Sequence, residues 1–98
     1  MVSQPSAFTP PGKNAPYAVG KAGEEVLALS LARELQDTGV TSNIVLVNHI
    51  DEDHKTFDKP SPKNASWSTP EEIALTILVL CSDESSEVNG ARLPLYVR

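Results

Sequence analysis

One short apolar run limits what this chain can fold into. Ile44, Val45, Leu46 and Val47 follow one another without the polar alternation of a strand that has one face in water. Such a run is typical of a parallel strand buried on both faces, because both of its faces then carry apolar side chains. The run therefore predicts a strand in the middle of a parallel sheet.

The segment before this strand carries the signals of a long helix. Pro16 suits a first helical turn, and Gly39 suits the left-handed residue just past a helix end. Helical spacing predicts an inward face made of Ala22, Val26, Leu27, Ser30 and Leu31. Leu29 and Ala32 broaden this face, so we expect the helix to pack on more than one neighbour.

A second helix is predicted from Thr69 onward. Thr69 can cap it, Pro70 fills the first turn, and Glu72 completes a capping box. The apolar side chains that recur at three- and four-residue steps are Ile73, Ala74, Ile77, Leu78 and Cys81. Cys81, the single cysteine, is expected to be a small buried side chain on that stripe.

The pattern as a whole predicts an α/β chain in the order helix, strand, helix, strand. Residues 1–15, rich in proline, are expected to form an irregular entry segment, and residues 16–98 the folded unit. The last strand is expected over residues 91–97, near a sheet edge because Pro94 lacks a donor. Residues 51–68 form a polar loop that is either functional or disordered. Within it, Trp67 and Phe57 either line a substrate pocket or anchor the loop.

Length and charge exclude several classes of function. The 98 residues make one domain at most, and a net charge of -5 without a basic cluster argues against nucleic-acid and membrane partners. No apolar run approaches the roughly 20 residues of a membrane span, and no secretory signal is evident. We therefore expect a cytoplasmic protein.

Tyr17 and Lys21 are the residues with the clearest chemical potential. They lie four apart at the start of the first predicted helix, so their side chains share one face. A cation about 4 Å from a phenolate is worth roughly 4 kcal/mol at an effective dielectric constant of 20, and the helix N-terminus favours the same charged form. The pair is thus predicted to act as a proton-transfer unit. The structural alternative is a packed tyrosine and a solvated lysine.

The order of several short motifs resembles one family. These motifs are Tyr17-Ala18-Val19-Gly20-Lys21, Ser30 to Leu35, Gly39 to Asn43, Pro70 to Ala74, Leu80 to Glu84 and Asn89 to Pro94. In this order and spacing the chain resembles the C-terminal half of the short-chain dehydrogenases/reductases. The resemblance covers about four-fifths of the chain.

The resemblance implies a fold and a chemistry. The fold would be the C-terminal part of a Rossmann-like doubly wound parallel sheet, and the activity would be hydride transfer between NAD or NADP and a small carbonyl or alcohol substrate. By this resemblance Tyr17 would be the acid or base, Lys21 would activate it and contact the nicotinamide ribose, and Ile50 would be the aliphatic residue against the cofactor. The same resemblance implies a homo-oligomer through the helix at 16–38.

The sequence departs from the family pattern at three places. The family's serine stands thirteen residues before the tyrosine, where this chain has Gln4; we favour Ser3, with Ser6 or neither as alternatives. Glu52 replaces a threonine that meets the cofactor, and a carboxylate there would repel a pyrophosphate. No glycine-rich phosphate-binding turn is present, so the chain as given is expected not to turn over.

The sequence is also compatible with other functions. The chain is alternatively an inactive, self-associating or partner-binding module derived from the family, because its apolar faces call for a partner. His49, Asp51, Asp53 and His54 could ligate a metal or form a solvated acidic loop. Hydrolase chemistry has no support, since no G-x-S-x-G turn occurs.

Overall fold

The computed structural model describes residues 1–5 and 12–96. Its helices and strands follow one another as β1 (Val2–Ser3), α1 (Ala15–Glu34), β2 (Ile44–Leu46), α2 (Lys55–Asp58), α3 (Pro70–Leu80) and β3 (Arg92–Pro94), with a short 3-10 turn at Asp83–Ser85. The protein is thus α/β, with helices packed on a small sheet.

The sheet is parallel and β2 is its central strand. The strand order is β1-β2-β3, and Val45 pairs with Val2 on one side and with Leu93 on the other. All four residues of the apolar run are buried. This confirms the prediction that the run forms a mid-sheet parallel strand.

The first strand was not predicted. Val2 and Ser3 lie in the segment expected to be irregular, yet the Val45 N–H donates to the Met1 carbonyl and the Val47 N–H to the Ser3 carbonyl, both at 2.8 Å. The element order therefore begins with a strand, which corrects the predicted order. A two-residue strand is too short to show a periodic pattern, so only its pairing reveals it.

Helix α1 has a different inward face from the one predicted. Its buried residues are Ala18, Glu25, Ala28 and Ala32, whereas Val26 and Leu27 are each 61% exposed. Three small alanines let the helix backbone approach the sheet closely, and Val26 and Leu27 point away from it. The predicted inward face is wrong for this reason. Leu29 and Ala32, which were expected to broaden the inward face, do pack toward the sheet. The helix also ends at Glu34, five residues before Gly39, although Gly39 does adopt the positive φ expected of it.

One buried carboxylate ties α1 to the sheet. Glu25 is only 1% exposed, and its Oε1 accepts hydrogen bonds from Arg92 Nε at 3.1 Å and Nη2 at 3.0 Å. Arg92 begins β3 and pairs with Ile44, so it lies on the face of the sheet that α1 covers. The ion pair fixes the middle of α1 over β3.

Side-chain hydrogen bonds from the loops before β2 and β3 hold the C-terminal half of α1 in place. Ser42 Oγ donates to the Ala28 carbonyl at 2.8 Å, and Asn89 Nδ2 donates to the Ala32 carbonyl at 2.7 Å. Asn43 joins the loop before β2 to β3, because its Oδ1 accepts from the Ala91 N–H at 3.0 Å. The motifs around Ser42 and Asn89 that carry the resemblance therefore have a structural role.

Helix α3 begins where the sequence predicts. Thr69 Oγ1 accepts from the Glu72 N–H at 3.2 Å, and Glu72 Oε1 accepts from the Thr69 N–H at 3.0 Å, so both halves of the capping box form. Ile73 packs with Val45 and Val47 on the second face of the sheet. Cys81 is exposed, however, which corrects the expectation that it is buried. It is the C-cap residue of α3. Ala74, Ile77 and Leu78 are exposed as well, so Ile73 is the one buried residue of the predicted stripe.

Strand β3 lies at the edge of the described sheet, as Pro94 predicts. It is shorter than the predicted strand over residues 91–97, whose last residue, Val97, is outside the described residues. Among residues 1–5 and 12–96, no helix combines the length and the apolar character needed to cross a membrane.

Candidate active site

One cavity brings together the four residues to which the family resemblance gave a role, and these are Ser3, Tyr17, Lys21 and Ile50. It has a volume of about 380 Å³ and lies where the carboxyl ends of β1 and β2 meet the first turns of α1. We call it the Tyr17 cavity, and its lining residues are Val2, Ser3, Gln4, Tyr17, Lys21, Val47, Asn48, His49, Ile50 and Glu52. Ligand sites of open α/β sheets lie at this edge.

Tyr17 and Lys21 stand one turn apart at the start of α1. Pro16 lies in the first turn of the helix, as its fixed φ favours. The Tyr17 side chain is about half exposed, so its phenol is open to a ligand. Lys21 Nζ donates to the Val2 carbonyl at 3.3 Å and lies 3.7 Å from Glu24 Oε2. The ammonium therefore links α1 to the edge of β1 beside Ser3.

Ser3 lines the cavity, and its hydroxyl is buried without a partner. The residue is 3% exposed, and its Oγ makes no hydrogen bond within the described part of the chain. A buried hydroxyl without a partner carries a desolvation cost that a ligand atom can relieve. Gln4, which stands thirteen residues before Tyr17, lines the same cavity. Ser6, the other serine considered, lies outside the described residues.

Ile50 is held at the cavity by the end of the polar loop. It forms a parallel bridge with Ser68, whose N–H donates to the His49 carbonyl at 3.0 Å. The Asp51 N–H donates to the Ser68 carbonyl at 2.7 Å. The loop thus leaves and returns beside β2, next to the cavity.

The carboxylate of Asp51 organises the first half of the loop. It accepts hydrogen bonds from the Lys55 N–H at 2.8 Å, the Thr56 N–H at 2.9 Å and the Thr56 hydroxyl at 2.7 Å. Burial opposes the charged form of Asp51, but the hydrogen bonds from Thr56 and Lys55 outweigh it and lower its pKa. Residues 51–68 therefore contain an ordered turn with its own helix, α2, in place of a structureless loop.

An ion pair joins the loop to α3. His54 Nε2 lies 2.9 Å from Glu71 Oε2. The hydrogen bond to Glu71 raises the pKa of His54, and the same bond lowers the pKa of Glu71. Both side chains are largely exposed, so solvent screens the pair and its contribution to stability is small.

A second cavity lies beside the first. It has a volume of about 220 Å³, and we call it the Trp67 cavity; its lining residues are His49, Ile50, Asp51, Glu52, Asp53, Lys55 and Trp67. The rings of His49 and Trp67 are 4.2 Å apart between centroids and tilted by 43°. Trp67 therefore both anchors the loop and lines a cavity, whereas Phe57 is 86% exposed and does neither.

Sequence reasoning missed the cavity role of Asn48 and His49. The available signal was their position directly after a predicted parallel strand, because ligand-binding side chains collect at that edge. The metal hypothesis for residues 49–54 gains no support: within residues 1–5 and 12–96, no three His, Cys, Asp or Glu side chains come together as a metal site.

Comparisons with known proteins identify the family. A family model described as Enoyl-(Acyl carrier protein) reductase matches residues 3–95. The chain belongs to the short-chain dehydrogenase/reductase family. The prediction from the sequence motifs is confirmed.

Curated relatives agree with this assignment. The 3-oxoacyl-[acyl-carrier-protein] reductases MabA of Mycobacterium tuberculosis and Mycobacterium bovis are 35% identical over 92 residues, which is 86% of this chain and 37% of theirs. Protein FixR of Bradyrhizobium diazoefficiens is 33% identical over 84 residues, or 81% of this chain and 30% of its own. The chain therefore spans about a third of the length of these relatives.

The cavity fits one end of the nicotinamide cofactor that this family uses. The Lys21 ammonium and the Tyr17 phenol suit the hydroxyls of a ribose, and Ile50 offers an apolar contact for a nicotinamide ring. The Ser3 hydroxyl is buried close by and makes no hydrogen bond within the described residues. Glu52 on the same wall does not suit a phosphate. The residues present thus fit the reactive end of the cofactor.

Proposed function

We propose that this chain is the proton-transfer half of an NAD(P)-dependent oxidoreductase that interconverts a carbonyl compound and its alcohol. The observation that carries the proposal is the meeting of Ser3, Tyr17 and Lys21 in one cavity at the carboxyl edge of a parallel sheet. These residues come from two elements, β1 and α1, so no local pattern brings them together.

In this proposal Tyr17 moves the proton. During reduction its hydroxyl donates a proton to the carbonyl oxygen while the carbonyl carbon receives a hydride, and the product is the neutral alcohol. The phenolate left behind is reprotonated from solvent, which reaches the half-exposed side chain. In the reverse direction the phenolate accepts the alcohol proton. General acid–base catalysis by one such group contributes about 10²- to 10⁴-fold to a rate.

Lys21 and Ser3 support this transfer. The ammonium of Lys21, one helical turn from Tyr17, stabilises the phenolate through its positive charge. The Ser3 hydroxyl, which is buried without a partner, donates to the substrate oxygen and orients it. Both contacts are strongest when the oxygen carries negative charge, so they favour the transition state over the bound carbonyl.

Tyr17, Lys21 and Ile50 would hold the nicotinamide and its ribose, and the bound cofactor would supply or accept the hydride. The phosphates need the backbone amides of a glycine-rich turn, which this chain does not carry. We therefore expect turnover only when the nucleotide-binding half is present, and little or none from these 98 residues alone.

The test is the oxidation of NADH and NADPH with simple ketones, followed at 340 nm. It compares these 98 residues with the longest polypeptide that the gene encodes. We expect turnover only from a polypeptide that contains a nucleotide-binding half, and we expect Tyr17→Phe to reduce it by about 10²- to 10⁴-fold. Thermal melting of the variant should not change, since the Tyr17 phenol is half exposed. Turnover that survives Tyr17→Phe would overturn the proposal.

A second candidate is a self-associating module without activity. The observation in its favour is the outer surface of α1, where Val19, Val26 and Leu27 are each more than half exposed. An apolar surface of this kind on the helix at 16–38 favours a homo-oligomer. Sedimentation equilibrium should give a dimer or larger species, and Leu27→Glu should shift the mass to that of the monomer. A wild-type monomer at high micromolar concentration would exclude this candidate.

A further inference from the structure

Asn48 lies in the Tyr17 cavity, and the family resemblance gives it no role. It lines this cavity and not the Trp67 cavity, whereas its neighbours His49 and Glu52 line both. Its side chain is exposed, so a ligand in the cavity can reach it. The amide of Asn48 is thus a polar group of the cavity that the proposed proton transfer leaves unused.

The direction of the Asn48 side chain follows from β2. Leu46 packs on the side of the sheet that α1 covers, and Val47 packs on the side that α3 covers. The backbone is still paired at Val47, whose N–H donates to the Ser3 carbonyl at 2.8 Å. Successive side chains of an extended strand point to opposite sides of the sheet. Asn48 therefore points to the α1 side, which is the side of Tyr17.

The end of the polar loop fixes the orientation of this amide. Ile50 and Ser68 form a parallel bridge, so Asn48 and Ser66, two positions earlier in each segment, are neighbours on one face. Asn48 Nδ2 donates to Ser66 Oγ at 2.7 Å. Within residues 1–5 and 12–96, the Oδ1 atom of Asn48 accepts no hydrogen bond. The side chain therefore presents a fixed acceptor to the cavity.

This acceptor complements the groups on the opposite wall. The hydroxyls of Ser3 and Tyr17 and the ammonium of Lys21 can all donate, whereas an amide oxygen only accepts. The Ser3 hydroxyl is also buried without a partner in the described part of the chain, which is unfavourable until a ligand pairs with it. One cavity thus holds an unpaired hydroxyl and an unpaired acceptor, and a bound ligand can satisfy both.

We propose that Asn48 is a binding residue that selects a ligand bearing an N–H or O–H donor. Its Oδ1 atom accepts the hydrogen bond, and Ser66 holds the amide in the orientation that allows it. Two ligands of the proposed reaction can supply the donor: the primary amide of the nicotinamide, or a hydroxyl on the carbonyl substrate. The inference rests on the proposed function for these two sources, but the acceptor itself is a property of Asn48.

The first arm of the test removes the donor from the cofactor. In the 3-acetylpyridine analogues of NADH and NADPH a methyl ketone replaces the primary amide, so the carbonyl stays and the N–H is lost. Calorimetry without substrate gives the dissociation constants for the longest polypeptide that the gene encodes. If the cofactor supplies the donor, the natural cofactor binds about fivefold more tightly than its analogue, and Asn48→Ala removes the difference.

The second arm removes the donor from the substrate. Hydroxyacetone and butanone are ketones of similar size, and a hydroxyl in the first stands where a methyl stands in the second. Backbone amide resonances of residues 47–50 in a ¹⁵N-labelled sample report their binding, without cofactor and therefore without turnover. If the substrate supplies the donor, hydroxyacetone binds about fivefold more tightly than butanone, and Asn48→Ala again removes the difference.

A matched variant controls for the loss of an amide. Gln36→Ala removes an exposed amide just beyond the end of α1, outside the cavity, and should leave both preferences unchanged. Because Asn48 is exposed, Asn48→Ala should fold as the wild type does, which thermal melting checks. A donor preference that persists in Asn48→Ala belongs to another acceptor, such as Glu52, and overturns the inference.

The outcomes separate this inference from the proposed function. A preference that depends on Asn48 in either arm supports the inference and assigns the donor to the cofactor or to the substrate. Equal affinity within both pairs, or no binding of any of these ligands, overturns the inference, even where ketone reduction is observed. An Asn48-dependent preference in a protein that never reduces a ketone supports the inference and counts against the oxidoreductase proposal.

Discussion

The two walls of the Tyr17 cavity differ in how closely they follow the family. The wall made by β1 and α1 carries Ser3, Tyr17 and Lys21, the residue types on which the family's proton transfer depends. The wall that follows β2 carries Glu52, where the family pattern has a threonine, together with Asn48 and His49.

The two walls of the Tyr17 cavity are also held in place by different contacts. The Glu25–Arg92 pair and three buried alanines hold α1 against the sheet, whereas the segment after β2 runs along the surface. The residues proposed for proton transfer therefore lie on different elements from Asn48, His49 and Glu52. They can therefore change independently.

The largest expected change in turnover comes from Ser3→Ala, on the wall made by β1 and α1. Removing the hydroxyl should lower turnover by about 10²-fold, as for the loss of one donor to a developing oxyanion. The folded state should be as stable as before or more stable, because the variant removes a buried hydroxyl that has no partner. Ketone reduction and thermal melting measure the two effects.

The control for that variant is Ser66→Ala, whose hydroxyl accepts from Asn48 Nδ2 at 2.7 Å on the other wall. It should leave the rate of proton transfer nearly unchanged. Loss of stability in Ser3→Ala without loss of turnover would mean that the serine is structural, and that the first wall carries less of the chemistry than proposed.

A smaller effect is expected from Glu52→Thr on the second wall. The change removes the carboxylate that opposes the cofactor phosphates, so affinity for NADPH should rise about fivefold at low salt and by less at high salt. The maximal rate should stay the same, since Tyr17, Lys21 and Ser3 are untouched. A titration of cofactor fluorescence at two salt concentrations measures the affinity. Weaker cofactor binding in this variant would mean that Glu52 does not repel the cofactor phosphates.

The smallest effect concerns the pH dependence of the polar loop. Because the pKa of His54 is raised, its ion pair stabilises the folded loop fully below the ordinary histidine value of about 6.5, and the stabilisation is lost as pH rises through the raised pKa. Because the pKa of Glu71 is lowered, its contribution is present above the ordinary glutamate value and is lost as pH falls. The ion pair therefore stabilises the loop mainly at mildly acidic pH, above the pKa of Glu71 and below the pKa of His54.

Hydrogen exchange measures this effect. After correction for intrinsic rates, amides of residues 55–58 should open about twofold more often at pH 8 than at pH 6. Glu71→Gln should remove the difference, because it removes the carboxylate that pairs with His54. A pH dependence that persists in Glu71→Gln would assign it to another group.

The sequence predicted those parts of the fold whose signals are local. The central strand followed from the run Ile44 to Val47, and the start of α3 followed from Thr69 and Glu72, because a buried strand and a capping box each leave a pattern within a few residues. The motifs also identified the family and, from it, the candidate residues Ser3, Tyr17, Lys21 and Ile50, whose catalytic roles stay predictions.

The remaining features depend on contacts between distant residues. The strand at Val2 and Ser3 is defined by its pairing with β2, more than 40 positions away. The main inward face predicted for α1 was wrong because the sequence pattern weighs hydrophobicity, while close packing on the sheet selected the small Ala18 and Ala28 and a paired Glu25. The polar loop is ordered because Asp51 accepts hydrogen bonds from the start of α2. Such polar contacts leave no apolar periodicity in the sequence, so the pattern could not predict them.

The contact between Lys21 and Val2 has a consequence for assembly. In a parallel ladder the Met1 and Ser3 carbonyls are directed toward β2, so the Val2 carbonyl is directed to the opposite side, where Lys21 Nζ now donates to it. A further strand added along that side of β1 would compete for the same oxygen. Extension of the sheet along that side would then release the Lys21 ammonium from the backbone and leave it free to approach the Tyr17 phenol.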